Sequence, residues 1–296
     1  MRVPRGRPPV SVAVPTSSGK EMTSASEWQD RVGQSWAREW QRTDRSFGPL
    51  TDRVVDTARE RPYRVALDIG CGAGELTVRL AGAAPASEHL GIDISENLLA
   101  IASERTRAMP NARVQLADAA SWSAKSGERP DLLVSRHGVM FFSDPVAAFA
   151  HLREQSAPSA RLVFSCFRQR EENVWVRELA SVLAQDAAPA DPRAPGPFAF
   201  GDRDYVADLL GEAGWQGIEF TQVDYPMVAG QGADALGDAV SYFRSIGPTA
   251  RALAQLEGRD RDAALTRLSA MLETHQSGDT VSLPASCWIV TATNPR

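Results

Sequence analysis

The apolar positions of this chain fall into short, nearly unbroken runs separated by stretches of helical spacing. Five runs, at 64–70, 89–95, 112–118, 131–137 and 160–167, read as strands. Between them, "GELTVRLAG", "ENLLAIASERTRA" and "DPVAAFAHLREQ" read as helices, with Ser95 placed to cap the second and Pro145 in the first turn of the third. Continuous apolar strands alternating with helices predict an α/β fold, a mostly parallel sheet with helices on both faces. The second half is less regular. It reads as helices at 171–185 and 202–213, a Pro/Ala loop at 187–200, and strands at 217–227 and 285–293. Two or three helices fill 232–276, between the last two strands, and are expected to form an inserted lid.

Upstream, Trp28, Val32, Trp36 and Trp40 recur every four residues, which predicts one helical face. Gly33 weakens that helix, since glycine costs about 1 kcal/mol relative to alanine. A second helix at 49–60 ends before Pro62. Residues 23–60 are thus expected to cap a single domain spanning 23–296. Residues 1–22 are rich in Pro, Ser and Gly without a period, and are expected to be a disordered tail, with Met22 the natural alternative start.

Composition narrows the chemistry. Of 296 residues, 43% are hydrophobic and 23% charged, near the globular averages. The net charge of −5 argues against nucleic acid as a partner, because phosphate binding draws on clustered Lys and Arg. The only basic cluster is Arg2, Arg5 and Arg7. Cys71, Cys166 and Cys287 are far apart and odd in number, which fits a reducing cytosol. The four histidines form no metal-ligand spacing, and no apolar run approaches a membrane span.

The stretch "VALDIGCGAGELT" carries the chemistry. Glycines directly after a strand let backbone approach a ligand, and the next helix offers free N–H groups. Gly70, Gly72 and Gly74 alternate, and Glu75 stands where a dinucleotide fingerprint has its third glycine. An acid there opposes a pyrophosphate, so a nicotinamide-dependent oxidoreductase is the weaker enzyme reading. Asp68, just before the loop, suits a cofactor with a positive amino group. Asp93 closes the second strand, 19 residues after Gly74, where a carboxylate accepts hydrogen bonds from ribose hydroxyls. Asp118 closes the third strand and is placed to receive an adenine amino group, unless the backbone N–H of Ala119 makes that contact.

With these motifs the chain resembles the class I S-adenosylmethionine-dependent methyltransferases. "LLVSRHGVMFFSDPVAAFAHLRE", "RLVFSCF", "PFAFGDRDYVADLLGEAGW" and "ASCWIVTAT" are similar to a bacterial subgroup near the ubiquinone/menaquinone-type enzymes. The likeness covers roughly residues 26–294. It implies a Rossmann-like, seven-stranded, mostly parallel sheet with the last strand antiparallel. The cofactor implied is S-adenosylmethionine, contacted by Asp68, Gly70, Cys71, Gly72, Gly74, Asp93, Ile94, Asp118, Ala119 and Ser135. Cys71 reads otherwise as a small neighbour of the glycines, with no basic residue to activate it. In the resembling subgroup the N-terminal helices cover the cofactor, so Trp36 and Trp40 either present an aromatic face to its sulfonium or are plain helix core.

His137, at the tip of the fourth strand, is the candidate catalytic residue. It is either a base for a hydroxyl acceptor or a polar wall. Arg136 is either an anchor for an acceptor carboxylate or an ion-pair partner. Met140, Phe141, Phe142 and Trp175 are expected to line the acceptor pocket, which suggests a small, partly hydrophobic acceptor, quinone-like or a secondary metabolite. O- or C-methylation is expected, with N-methylation not decided by the sequence, and a non-catalytic, ligand-binding member of the fold stays open. Methyl transfer would require no metal.

Overall fold

Val65–Ile69 (β1) is buried at every position, as a strand covered on both faces must be. Around it the computed structural model describes residues 25–183 and 191–295; the expected tail at 1–22 and the residues 187–190 of the Pro/Ala loop lie outside the described residues. Glu88–Asp93 (β2) and Ala112–Leu116 (β3) extend the sheet to one side of β1. Leu132–Arg136 (β4) and Arg161–Phe167 (β5) extend it to the other. All four of these contacts between neighbours are parallel. Gln216–Gln231 (β6) and Thr280–Thr293 (β8) complete the order β3-β2-β1-β4-β5-β8-β6, with β8 antiparallel to both neighbours. Where the resemblance implied seven strands, the sheet has eight among the described residues, because the two-residue β7 (Gln276–Ser277) turns back on β8.

The crossovers are Glu75–Ala83 (α4), Glu96–Thr106 (α5) and Pro145–Gln155 (α6). Strand order reverses between β1 and β4, so right-handed crossovers put α4 and α5 on one face and α6 on the other. That reversal opens a crevice at the strands' C-terminal ends, where open α/β sheets bind ligands. Capping follows the residues. Ser95 accepts from the Leu98 N–H, and Asp144 caps α6 with Pro145 in its first turn.

The N-terminal segment departs from the expected pair of helices. Ala25–Gln29 (α1) and Arg31–Arg38 (α2) are short, and Trp40–Arg59 (α3) runs unbroken through Gly48 and Pro49. Local breaks at Asp30 and Glu39 put Trp40 at the start of α3, on a separate helix from Trp28 in α1 and Trp36 in α2. Those two rings pack on each other, with centroids 5.6 Å apart. α3 lies against β4, β5 and β6. Ser46 Oγ donates to the Val228 carbonyl and Arg45 to that of Ala229, which fixes α3 on the far edge of the sheet.

Val174–Leu183 (α7), Arg203–Glu212 (α8), Ala235–Ser245 (α9), Gly247–Leu253 (α10) and Gly258–Glu273 (α11) complete the chain. The three helices between β6 and β8 pack on β6, β8 and α7 through buried residues such as Ala239, Phe243 and Leu268. Among the described residues, no helix is long and apolar enough to cross a membrane.

Gly33 has a packing role rather than being a flaw in a helix. A Cβ there would lie 2.1 Å from the Trp28 carbonyl and 2.3 Å from Ser95 Oγ, so only glycine lets α2 sit on the start of α5. Gly33→Ala is therefore expected to lift α1 and α2 away. Tryptophan emission should move to the red while the thermal midpoint of the α/β body changes little; unchanged emission would contradict this packing.

Candidate functional site

A cavity of about 460 Å³ opens at the reversal point between β1 and β4, under α1–α3. Its size lies within the range of small-ligand sites, roughly 300–1,000 Å³. The loop after β1 forms its floor. Gly70, Gly72 and Gly74 all take positive φ (64°, 56° and 84°), where side chains are strained. A Cβ on Gly70 would come 3.0 Å from Gly138 Cα, and one on Gly138 would come 2.7 Å from the Ile69 carbonyl. A Cβ on Gly72 would meet nothing within 4 Å; it borders open space.

Three acids stand around this loop in different states. Asp68 is fully buried; its Oδ2 accepts from Thr77 Oγ1 at 2.6 Å, and its Oδ1 has no hydrogen-bond partner among the described residues. Burial pushes its carboxyl up to about 6, against the pull of Thr77 and Arg136. Asp93 accepts from the Gly72 N–H and the Ser95 N–H, each at 2.8 Å, and so ties the glycine loop to the tip of β2. Burial raises its pKa while these backbone bonds oppose the rise. Asp118 is exposed at the rim, where its Oδ1 accepts from the Ala120 N–H. Trp36, Cys71, Ile94 and Ala119 also lie on the wall. The Cys71 thiol is pushed well up by burial and by Asp68 and Asp93, which suits an inert neighbour of the glycines.

On the β4 side, Arg136, His137, Phe141 and Phe142 line the cavity. His137 is buried and sits at φ 65°, leaving the sheet at the start of a 3-10 turn over Gly138–Phe141. Its ring stacks on Phe167 at 4.3 Å and meets Phe47 edge-on at 5.2 Å. Nε2 lies 3.9 Å from Cys287 Sγ, and Nδ1 has no partner among the described residues. Burial, then the neighbouring Arg136 charge, pulls its pKa down to about 3, so the ring is neutral near pH 7.

Arg136 donates to Thr51 Oγ1 at 2.9 Å, lies over the Phe47 ring and faces Asp44 at 3.6 Å. Asp44 also accepts from Arg105, which spans to Glu75 and the Ala73 carbonyl. Burial is the largest cause holding Asp44 near 6. Asp44 and Phe47 escape sequence reading, although Trp40, Thr43, Asp44 and Phe47 carry helical spacing. Expecting a break near Gly48 and Pro49 hides that face of α3.

Four expected site residues are off the wall. Gly74 starts α4, where a Cβ would press on Ala102 at 2.9 Å; its lack of a side chain serves helix packing. Ser135 is fully buried and donates to the Ile69 carbonyl at 2.7 Å, stitching β4 to β1 beneath the loop. Met140 faces the core at 2% exposure. Trp175 stands behind Phe167, 5.4 Å between centroids, and donates to Asn173 Oδ1. Asn173 is itself wholly buried, and its amide nitrogen donates to the Arg168, Gln169 and Ser286 carbonyls. The expected lid is also corrected. No residue of 232–276 lines the cavity, because α9–α11 bury their apolar faces against β6 and α7; Pro195 and Pro197 border the cavity instead.

Comparison with known proteins agrees with this geometry. Residues 66–159 match the family model described as a methyltransferase domain. Trans-aconitate 2-methyltransferase of Delftia acidovorans is 30% identical over 188 residues, 62% of this chain and 69% of that enzyme. The enzyme of the same name from Variovorax paradoxus is 33% identical over 158 residues, 49% of this chain and 59% of that one. Among solved structures, a phosphoethanolamine N-methyltransferase 2 of Haemonchus contortus, bound to S-adenosylhomocysteine, superposes with a TM-score of 0.56 at 16% identity. That match covers 92% of this chain and 60% of the other, and the low identity speaks for the fold. The chain thus spans between 59% and 69% of the two curated relatives. Likeness of this extent to a curated enzyme, on this sheet order and with this glycine loop, means that the chain belongs to the class I S-adenosylmethionine-dependent methyltransferases.

Proposed function

We propose that the protein transfers the methyl group of S-adenosylmethionine to an oxygen or carbon of a small, partly hydrophobic acceptor. One observation carries the reading: a buried carboxylate oxygen without a hydrogen-bond partner among the described residues, Asp68 Oδ1, on the wall of the cavity that the glycine loop floors. Keeping Asp68 ionised at neutral pH costs the ligand-free protein about 3 kcal/mol, from a pKa moved from 3.8 to about 6. A ligand ammonium offsets that cost. Asp93 keeps unused lone pairs beside its two backbone donors, which fits ribose hydroxyls, and the open side of Gly72 fits close backbone contact. When bound, the cofactor supplies a methyl group activated by its sulfonium. Phe141, Phe142 and Phe167 give the acceptor apolar walls, and the cover from α1–α3 excludes water.

The state of His137 shapes the acceptor's chemistry. A general base works best with a pKa near the operating pH, and one near 3 is far below it. His137 therefore orients the acceptor by hydrogen bonding through Nδ1. A carboxylate acceptor needs no base, which favours a second reading, a carboxylic acid acceptor, alongside the name carried by the two relatives. Labelled S-adenosylmethionine offered with trans-aconitate and with a hydroxylated quinone separates the two. Label in an ester supports the acid, label on the quinone supports the first reading, and transfer to neither counts against both.

Two measurements test the cofactor site. Asp93→Ala is expected to weaken S-adenosylhomocysteine binding about tenfold or more by calorimetry, having lost both the ribose acceptor and the tie to Gly72. Unchanged affinity would sink the ribose assignment. The second concerns pH. Asp68 binds its proton more tightly folded than unfolded, so the ligand-free protein loses stability as pH rises from about 4 to about 6. Ligand affinity runs the other way and rises across pH 6 as the carboxylate forms. Asp44 titrates in the same window, so Asp68→Asn isolates the effect. That variant should melt higher than wild type at pH 7 without ligand, yet bind S-adenosylhomocysteine more weakly. A lower melting point with unchanged binding would refute the assignment.

A further inference from the structure

The wall of the cavity is one-sided in charge. It carries Asp44, Asp68, Asp93, Asp118 and Asp144 but, among the described residues, Arg136 is its only Lys or Arg. Other arginines nearby are engaged: Arg105 by Asp44, Glu75 and the Ala73 carbonyl, Arg45 by Asp238 and the Ala229 carbonyl. Arg136 differs. A guanidinium presents five N–H donors. Among the described residues its one side-chain hydrogen bond is to Thr51, and Asp44 at 3.6 Å is beyond hydrogen-bond range. The ring of Phe47 and the Thr51 bond hold the planar group in place, with donors to spare.

Its position matches that of the unpartnered acid. Asp68 pairs in register with Val134, so Asp68, Val134 and Arg136 project from the same face of the sheet. Arg136 is close enough to pull on the Asp68 carboxyl. An acid whose Oδ1 has no donor among the described residues and a fixed guanidinium with donors to spare, side by side on two adjacent strand tips, complement a ligand group that carries both charges. An α-amino acid zwitterion is such a group, and the cofactor ends in one.

We propose that Arg136 binds the carboxylate of the cofactor's amino-acid end while Asp68 receives its ammonium, so that Arg136 is a cofactor residue and not the acceptor's anchor. This rests on the cofactor being S-adenosylmethionine. It follows that the acceptor is recognised without a fixed cation from the protein, by the aromatic walls and His137.

Calorimetry with three sulfides tests the assignment on the full chain: S-adenosylhomocysteine, its decarboxylated amine, and 5′-methylthioadenosine, which lacks the amino-acid end. Wild type should prefer S-adenosylhomocysteine over the decarboxylated amine by about 10- to 100-fold, the range of a charge-assisted hydrogen-bond pair. Arg136→Gln should abolish that preference and leave 5′-methylthioadenosine binding unchanged. If the glutamine variant does not fold, Arg136→Lys keeps the charge but not the planar fork, and should shrink the preference. Equal binding of the first two ligands by wild type, or a preference that survives substitution, overturns the proposal. So does equal weakening of all three ligands, which marks a structural role. Failure of wild type to bind any of the three would instead overturn the cofactor reading, and this assignment with it.

Discussion

Everything about the site depends on two strands leaving the sheet side by side with no side chain between them. At the tips of β1 and β4, Gly70 and Gly138 lie so close that a methyl group on either would collide with the other's backbone. Ser135 Oγ closes the gap by donating to the Ile69 carbonyl and accepting from the Gly138 N–H. The contact fixes how far apart the glycine loop and His137 stand. It also explains the backbone at His137, a non-glycine residue at positive φ, since the chain must turn sharply there to pass Gly70. Widening this contact would move the glycine loop and the His137 side of the cavity apart together.

The charges around that contact are held without water to soften them. Asp68, Asp44 and His137 all shift toward their neutral forms for one dominant reason, burial. Arg136 acts on all three and lies among them. Such a site is electrostatically incomplete by itself: the Asp68 carboxylate is held at a cost that an arriving cation offsets, and the neutral histidine adds no charge to balance it. Preorganised charge of this sort helps ligand and reaction because the protein need not reorganise at the moment of transfer.

Much of this was legible in the chain. The strands are short apolar runs, and Asp68, Asp93 and Asp118 are visible because each closes or nears the end of one. The glycine spacing is equally local. What escaped depends on packing between distant segments. Phe167 is an ordinary strand residue until His137 stacks on it, and Gly138 looks like a loop glycine until Gly70 is opposite. Gly48 and Pro49 suggest a break, but Ser46 and Arg45 anchor α3 to β6 across the sheet, and the helix passes through. The segment 232–276 does lie between the last two strands, yet adjacency in sequence says nothing of which way it folds. Its buried Ala239, Tyr242 and Phe243 take it to β6, away from the cavity.

Asn173 shows how narrow the tolerance for change becomes away from the cavity. Its amide nitrogen faces three backbone carbonyls, while its oxygen receives the Trp175 indole and the Ser286 N–H. Exchanging that nitrogen for oxygen, as Asn173→Asp does, would alter the side chain's shape hardly at all. Shared attraction to three carbonyls would become repulsion in a place without solvent, beside Trp175, which packs on the aromatic ring on which His137 rests. The effect would reach the cavity through a residue that does not itself line it.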